Sequence, residues 1–197
     1  MGSSWRKVLW LVAAGALALA LAAHVAVAQD GRVPEGFPPA ESRDLVEGTD
    51  GSSVIGGTKE TDVIFGRGGG DEIYGFRSAD LLLGGSGEDY LGGGRHGDYL
   101  YGDRGADVIT GAGGRDRIFG GKGRDDLYTG FRPGQPVPPN SPARKDLVAG
   151  ERGDDFIDAA DARGARDTVY CGKGFDTIVA NTNDRVGSGC ERVRRVG

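Results

Sequence analysis

The chain has 197 residues, with 24 lysines and arginines, 29 aspartates and glutamates, and a formal net charge of −5. This acidic balance argues against nucleic acid as a partner, because nucleic-acid binders carry a basic surface. Glycine accounts for 38 residues, far above the usual share of about 7%, and aromatic residues for only 8%, which is thin for a thick globular core.

The N-terminal residues 1–28 have the pattern of a secretory signal peptide. An arginine and a lysine precede an apolar run at residues 8–23, and residues 26–28 are the small-x-small signal "AVA" of a cleavage site. An uncleaved anchor helix is the alternative, which the short apolar run and the good cleavage signal disfavour. We therefore expect a secreted, extracellular chain that starts at Gln29 and whose mature part has no transmembrane segment.

A proline-rich, polar stretch at residues 29–43 is expected to be a linker. After it, carboxylates recur with a period of nine residues, and we call the members of this series the ladder residues. The unbroken run is Asp62, Asp71, Asp80, Asp89, Asp98, Asp107, Asp116 and Asp125. The register extends back to Ser53 and Asp44, and it resumes at Asp146, Asp155, Asp167 and Asp176.

An aliphatic residue stands two positions after each ladder residue. The fourteen are Val46, Ile55, Ile64, Ile73, Leu82, Leu91, Leu100, Ile109, Ile118, Leu127, Val148, Ile157, Val169 and Ile178. A disordered glycine-rich linker would not hold this register. Glycines suit a turn and bulky residues suit a strand, so each nine predicts a turn followed by a very short strand with one inward side chain.

Two nines match the motif G-G-x-G-x-D-x-U-x most closely: "GGSGEDYLG" at Gly84–Gly92 and "GGKGRDDLY" at Gly120–Tyr128. The sequence therefore resembles the hemolysin-type (RTX) calcium-binding nonapeptide-repeat family, in a short secreted form. The resemblance implies an all-β fold, a parallel β-roll or right-handed β-solenoid over residues 44–180. Each coil would take 18 residues, which makes about seven coils with terminal caps.

Stacking such coils places like charges above one another. At roughly 4.8 Å, two unit charges repel by about 3.5 kcal/mol if the effective dielectric constant is about 20. Calcium suits the site, because it takes six to eight oxygen ligands from carboxylates and backbone carbonyls. The alternative is that each aspartate caps its own turn, with Arg104, Arg115 and Arg124 balancing the charge. By the resemblance, several Ca²⁺ ions lie between successive turns and share their aspartates.

The two sides of such a roll differ in the residue two positions before the ladder residue. On the glycine-rich side, with Ser53, Asp71, Asp89, Asp107, Asp125, Asp155 and Asp176, that residue is always glycine. On the glycine-poor side, with Asp44, Asp62, Asp80, Asp98, Asp116, Asp146 and Asp167, it is glycine only at Gly114. We expect weaker ion binding there, because a non-glycine residue at positive φ costs about 1 kcal/mol or more.

The expected ligands rank accordingly. Asp71, Asp89, Asp107 and Asp125 come first and Asp155 and Asp176 second, with Asp98 and Asp116 ahead of Asp62 and Asp80 on the glycine-poor side. Glycines are expected to offer their turn carbonyls without obstruction. They are Gly66, Gly68, Gly84, Gly85, Gly87, Gly102, Gly105, Gly120, Gly121 and Gly123.

Two further features lie towards the C-terminus. A proline-rich insertion at residues 129–145 and a shorter one before Asp167 both interrupt the glycine-poor side. The two cysteines, Cys171 and Cys190, predict a disulfide that pins residues 181–197 as a cap; two free thiols are the alternative.

No catalytic constellation is recognisable. His96 is the only histidine after the expected signal peptide, and the sequence has no H-E-x-x-H motif, nucleophile elbow or phosphate loop. We therefore expect a secreted calcium-binding β-roll that folds on Ca²⁺, and not an enzyme. The alternative is an extracellular structural or adhesive module whose partner binds the inserted loop or a strand face, a cell surface or polysaccharide being possible. A calcium-independent solenoid that binds ice or polysaccharide is disfavoured, because the outward strand positions form no regular lattice.

Overall fold

Sixteen short strands and no helix make up the described residues of this computed structural model, which are 44–135, 145–160 and 164–197. The strands are β1 (Asp44–Glu47), β2 (Val54–Gly56), β3 (Asp62–Gly68), β4 (Glu72–Phe76), β5 (Leu81–Ser86), β6 (Tyr90–Arg95), β7 (Tyr99–Arg104), β8 (Val108–Gly113), β9 (Arg117–Lys122), β10 (Asp126–Tyr128), β11 (Leu147–Arg152), β12 (Phe156–Asp158), β13 (Thr168–Lys173), β14 (Thr177–Asn181), β15 (Arg185–Val186) and β16 (Arg192–Val196). The expected signal peptide and the expected linker, residues 1–43, lie outside the described residues. Within the described ranges, nothing helical is long and apolar enough to cross a membrane.

The strands form two parallel sheets, each of eight strands. One sheet, sheet A, has the order β1-β3-β5-β7-β9-β11-β13-β15, and the other, sheet B, has the order β16-β14-β12-β10-β8-β6-β4-β2. The chain therefore passes from one sheet to the other after every strand. This confirms the predicted right-handed parallel β-solenoid, with about eight turns.

The register between neighbouring strands follows the nine-residue period. Leu82 pairs with Leu100, and Leu100 with Ile118, so that equivalent residues one coil apart lie side by side. The inward side chains form a single aliphatic file between the sheets. It contains thirteen of the fourteen predicted positions, while Val46 is partly buried against it. The narrow core explains why so few aromatic residues are needed.

The two insertions leave this register intact. Across the first, Val148 of β11 pairs with Ile118, and Leu127 pairs with Ile157 of β12. Both insertions connect sheet B to sheet A, which is the glycine-poor side, as the sequence predicts. Residues 136–144 and 161–163 of these insertions lie outside the described residues.

The C-terminal tail continues the solenoid. β15 pairs with β13 and β16 pairs with β14, so residues that we expected to form a cap add one more strand to each sheet. Cys171 and Cys190 form the predicted disulfide, with a Cα–Cα distance of 5.3 Å. The disulfide thereby joins β13 to the segment that leads into β16.

Candidate metal centre

From Asp62 onward the ladder carboxylates are buried, and they are joined to one another through the backbone. From Asp71 onward, Oδ1 accepts a hydrogen bond from the backbone N–H of the ladder residue one coil earlier. Asp71 N–H donates to Asp89, for example, and Asp80 N–H to Asp98, over 2.8 and 2.9 Å. The same bond crosses both insertions, from Asp116 to Asp146 and from Asp125 to Asp155. Repeated turns thus hold each carboxylate inside the roll, where only one of its oxygens is satisfied by this bond.

The second carboxylate oxygen is the unusual feature of the site. At nine ladder positions the buried Oδ2 atom has no hydrogen-bond partner. They are Asp71, Asp80, Asp89, Asp98, Asp107, Asp116, Asp125, Asp155 and Asp176. Burying a charged oxygen without a partner is costly, and a row of such atoms requires something that neutralises it.

The raised pKa values of the ladder aspartates reflect the same cost of burying a charged oxygen. Burial raises the pKa of Asp98 to about 9, and the negative charge of Asp116 adds to the shift. Burial also raises the pKa of Asp80 and of Asp107 to about 7, and that of Asp89 to about 6. The backbone N–H that donates to each carboxylate opposes these shifts, because it stabilises the charged form. Without a cation, the fold therefore favours the protonated acids.

Each orphaned oxygen except that of Asp176 faces a glycine five residues before its aspartate, which we call the leading glycine. A Cβ built on Gly84 would lie 2.5 Å from Oδ2 of Asp89 and 3.0 Å from the carbonyl oxygen of Gly102 in the next coil. A Cβ on Gly93 would lie at the same distances from Oδ2 of Asp98 and the carbonyl oxygen of Gly111. Carboxylate and carbonyl oxygens thus converge on one point, and they are the donors that calcium prefers.

The leading glycines are present on both sides of the roll, which the sequence analysis did not recognise. Four of them, Gly66, Gly84, Gly102 and Gly120, were among the expected glycines of the glycine-rich side. Their counterparts Gly57, Gly75, Gly93 and Gly111, and also Gly150, contact the carboxylate of their own turn in the same way. The sequence contains the pattern that would have identified them, since a glycine stands five residues before every ladder residue from Ser53 to Asp125.

The glycines two residues before the aspartates, the trailing glycines, have a different physical role. Gly87 has a φ of +137°, and a Cβ there would overlap the carbonyl oxygen of Gly69 in the previous coil. On the glycine-poor side, Ser78 and His96 stand at this position and still have φ values of 75° and 93°. Ser78 is held by its hydroxyl, which donates to the Lys59 carbonyl over 2.6 Å. Replacement of the glycine therefore does not abolish the left-handed turn at these two residues.

The ladder extends further than the sequence analysis placed it. The N–H of Asp167 donates to Oδ1 of Asp184, and the N–H of Asp176 donates to Oε2 of Glu191, over 2.9 and 2.8 Å. The segments "DRV" at residues 184–186 and "ERV" at residues 191–193 repeat the pattern of an acid followed two positions later by an aliphatic residue. Their spacing departs from nine residues, so the period alone did not identify them. At Asp176 the leading position is Cys171, whose carbonyl takes the place of the glycine carbonyl beside Asp155.

The side chains alone do not complete a metal site. Within the described ranges, no three aspartate, glutamate, histidine or cysteine side chains come together in an arrangement that could hold an ion. A cation would therefore depend on backbone carbonyls as well as carboxylates. Arg104, Arg115 and Arg124 are exposed while the carboxylates are buried, which argues against arginine as their counter-ion.

Comparison with known proteins points in the same direction. A family model described as RTX calcium-binding nonapeptide repeat (4 copies) matches residues 56–91, 92–127 and 143–178, more than half of the chain. No curated protein matches the chain, and neither does any solved structure.

Proposed function

This chain belongs to the RTX calcium-binding nonapeptide-repeat family, and on that premise we propose that it is a secreted β-roll that folds on several Ca²⁺ ions bound between stacked turns. One observation carries the proposal: nine buried Oδ2 atoms have no hydrogen-bond partner. Bound calcium supplies the positive charge that lets the stacked carboxylates remain ionised.

The residues that would hold the ions follow from the geometry of the turns. The Oδ2 atom of a ladder aspartate and the carbonyl of the leading glycine one coil later approach the same point. Asp89 with Gly102 and Asp98 with Gly111 are examples from the two sides. Because a Cβ would collide with both oxygens, only glycine allows them to lie this close together.

We propose that the two sides bind calcium unequally. Asp71, Asp89, Asp107 and Asp125 would be the strongest ligands and Asp155 and Asp176 the next, whereas the glycine-poor side would bind more weakly through Asp98 and Asp116. The trailing glycines support this order, since they precede every ladder residue of the glycine-rich side. The pKa values separate only Asp98, at about 9, because burial raises the pKa to about 7 both at Asp80 and at Asp107. The turn conformation does not distinguish the sides at Ser78 and His96, which keep positive φ.

Secretion is proposed on two grounds. Residues 1–28 have the pattern of a signal peptide, and the Cys171–Cys190 disulfide is of the kind that persists in oxidising compartments. Outside the cell, calcium is abundant, so the protein would fold after export.

The proposal is tested by circular dichroism of a chain that starts at Gln29, first in excess chelator and then in calcium or magnesium. We expect a largely disordered spectrum in chelator, a β-rich spectrum at millimolar calcium, and little response to magnesium, which demands a small octahedral site. A fully β-rich spectrum in chelator would contradict calcium-dependent folding.

A further inference from the structure

The outer face of sheet B carries a cleft of about 330 Å³ that the stacked turns do not explain. Its floor is β6, where the outward positions are Gly92 and Gly94. The neighbouring strands β4 and β8 carry side chains at the equivalent positions, so two glycines in the middle strand leave a trough between two walls. A cleft of this volume is at the lower end of the range for small-ligand sites.

One wall of the cleft is aromatic. The rings of Tyr74 and Phe76 are stacked with their centroids 6.0 Å apart, and the centroid of Tyr90 lies 5.5 Å from that of Tyr74. Phe76 is 52% exposed, although a large apolar side chain on a stable surface is normally covered. The cluster thus presents apolar ring surface to solvent inside a concave site.

Phe131 and Gln135, which follow β10, complete the lining of the cleft. The side-chain amide of Gln135 donates to the hydroxyl of Tyr90 over 3.2 Å, across 45 residues of sequence. Arg132 lies over the Tyr128 ring at 5.8 Å from its centroid. These two contacts hold Phe131 and Gln135 as part of the cleft lining.

Polar groups at the cleft are few and specific. Thr110 lines it from β8 and is 2% exposed, and its buried hydroxyl has no hydrogen-bond partner. Arg95 lines the cleft as well, and the Tyr90 hydroxyl is already within hydrogen-bond distance of the loop. Because the Thr110 hydroxyl is enclosed, the side chains of Arg95, Tyr90 and Gln135 supply the polar groups that a ligand in the cleft can reach.

The charges around the cleft favour an uncharged ligand over an organic cation or an anion. An organic cation would suit the aromatic rings, but it would be repelled by the Arg95 guanidinium. An anion would meet the faces of the Tyr74 and Phe76 rings, which carry partial negative charge. A neutral pyranose avoids both conflicts, since its C–H face packs on aromatic rings and its hydroxyls pair with the side chains of Arg95 and Gln135.

We propose that this cleft binds a neutral sugar ring within an extracellular polysaccharide. The site is built from β4, β6, β8 and residues 131–135, and it is separate from the ladder carboxylates inside the roll. Calcium would contribute only by keeping the strands in register. The roll would then act as a calcium-stabilised module that attaches to a glycan surface.

The test is isothermal titration calorimetry of the calcium-loaded protein with cellohexaose, chitohexaose and maltohexaose. We expect one of the three to bind, and Phe131→Ala and Tyr90→Ala each to weaken binding at least about tenfold, since each removes ring surface from the cleft. Tyr90→Phe keeps the ring and should lose less. Phe119→Ala is the matched control, because Phe119 stacks on Tyr101 of the other sheet at 4.8 Å.

Three outcomes would overturn the inference. They are no binding of any of the three oligosaccharides, binding that is unchanged in Phe131→Ala and Tyr90→Ala, and binding that Phe119→Ala weakens as much. Each variant is first shown by circular dichroism to fold in calcium, so that failure to bind sugar is not confused with failure to bind calcium. A protein that folds on calcium and binds no sugar would contradict this inference alone.

Discussion

The backbone N–H of Asp89 donates to Oδ1 of Asp107, which lies one full coil further along the chain, over 2.9 Å. Each carboxylate therefore contributes to the coil before it as well as to its own turn. One oxygen supports the backbone ladder, and the other is left for a cation. Because the two oxygens have different roles, a substitution that removes only the charge can be compared with one that removes the whole side chain.

Removal of a ladder side chain should affect the two sides differently. Asp89→Ala or Asp107→Ala should raise the calcium concentration at the folding midpoint by about tenfold or more, because each carboxylate would be shared by two ions. Asp62→Ala and Asp80→Ala should shift it less. Circular dichroism during calcium titration measures all four midpoints. Equal shifts would show that the trailing glycine does not decide the strength of binding.

Replacement of a ladder aspartate by asparagine tests directly whether the two carboxylate oxygens have different roles. Asp107→Asn keeps a carbonyl oxygen that can accept the N–H of Asp89 but removes the charge. We expect the calcium-free variant to be more stable than the calcium-free parent chain, since one buried charge has gone, while the calcium midpoint still rises. Asp107→Ala also removes the charge but loses the hydrogen bond from the Asp89 N–H, so it should be less stable in chelator than Asp107→Asn. If the asparagine and alanine variants behave alike in chelator, the N–H bond contributes nothing measurable.

The calcium-free fold should gain stability as the pH falls. Aspartate has a pKa of about 3.9 in an unfolded chain, whereas burial raises the pKa of Asp107 to about 7 and that of Asp98 to about 9 in the folded chain. Between these limits the folded state binds more protons, so the free energy of unfolding decreases with rising pH. Circular dichroism in chelator should therefore show more β-structure at pH 5 than at pH 8. A higher stability at pH 8 would contradict the burial of these acids.

The leading glycines should be intolerant of any side chain on both sides of the roll. Gly84→Ala and Gly93→Ala would each place a Cβ 2.5 Å from an Oδ2 atom. We expect each to cost about 1–3 kcal/mol of stability in calcium, as overpacking does, and to raise the calcium midpoint. Gly51→Ala is the matched control, since a Cβ there meets nothing within 4 Å. A harmless Gly93→Ala would remove the glycine-poor side from the proposed ion sites.

The disulfide should stabilise the last coils. Cys171 and Cys190 close a loop with a sequence separation of 19, and such a crosslink contributes about 3 kcal/mol in the chain-entropy model. A variant with both cysteines replaced by serine should lose stability of that order. Its amide hydrogen exchange should increase most in β14 to β16, with β5 to β8 as the internal reference. Uniform exchange throughout the roll would indicate that the crosslink acts on the whole fold.

Much of the architecture was predictable because its cause is local and repeated. An acid, an aliphatic residue two positions on and glycines before them are enough to specify a turn, a short strand and an inward side chain. The alignment of Leu82 with Leu100 and Ile118 then follows from the period alone. The same period identified the stacked aspartates, since like charges at a fixed spacing must lie above one another in a parallel solenoid.

What the sequence could not decide depends on contacts between distant residues. The period places Asp89 above Asp71, but only the folded backbone determines that Oδ1 accepts the Asp71 N–H and that Oδ2 has no partner. Nor does a period describe the tail, where Glu191 takes a ladder position only because the chain returns to the last coil. The cleft is the clearest case. Gln135 reaches Tyr90 across 45 residues, because an inserted loop obeys no repeat and its position is determined by the surface on which it packs.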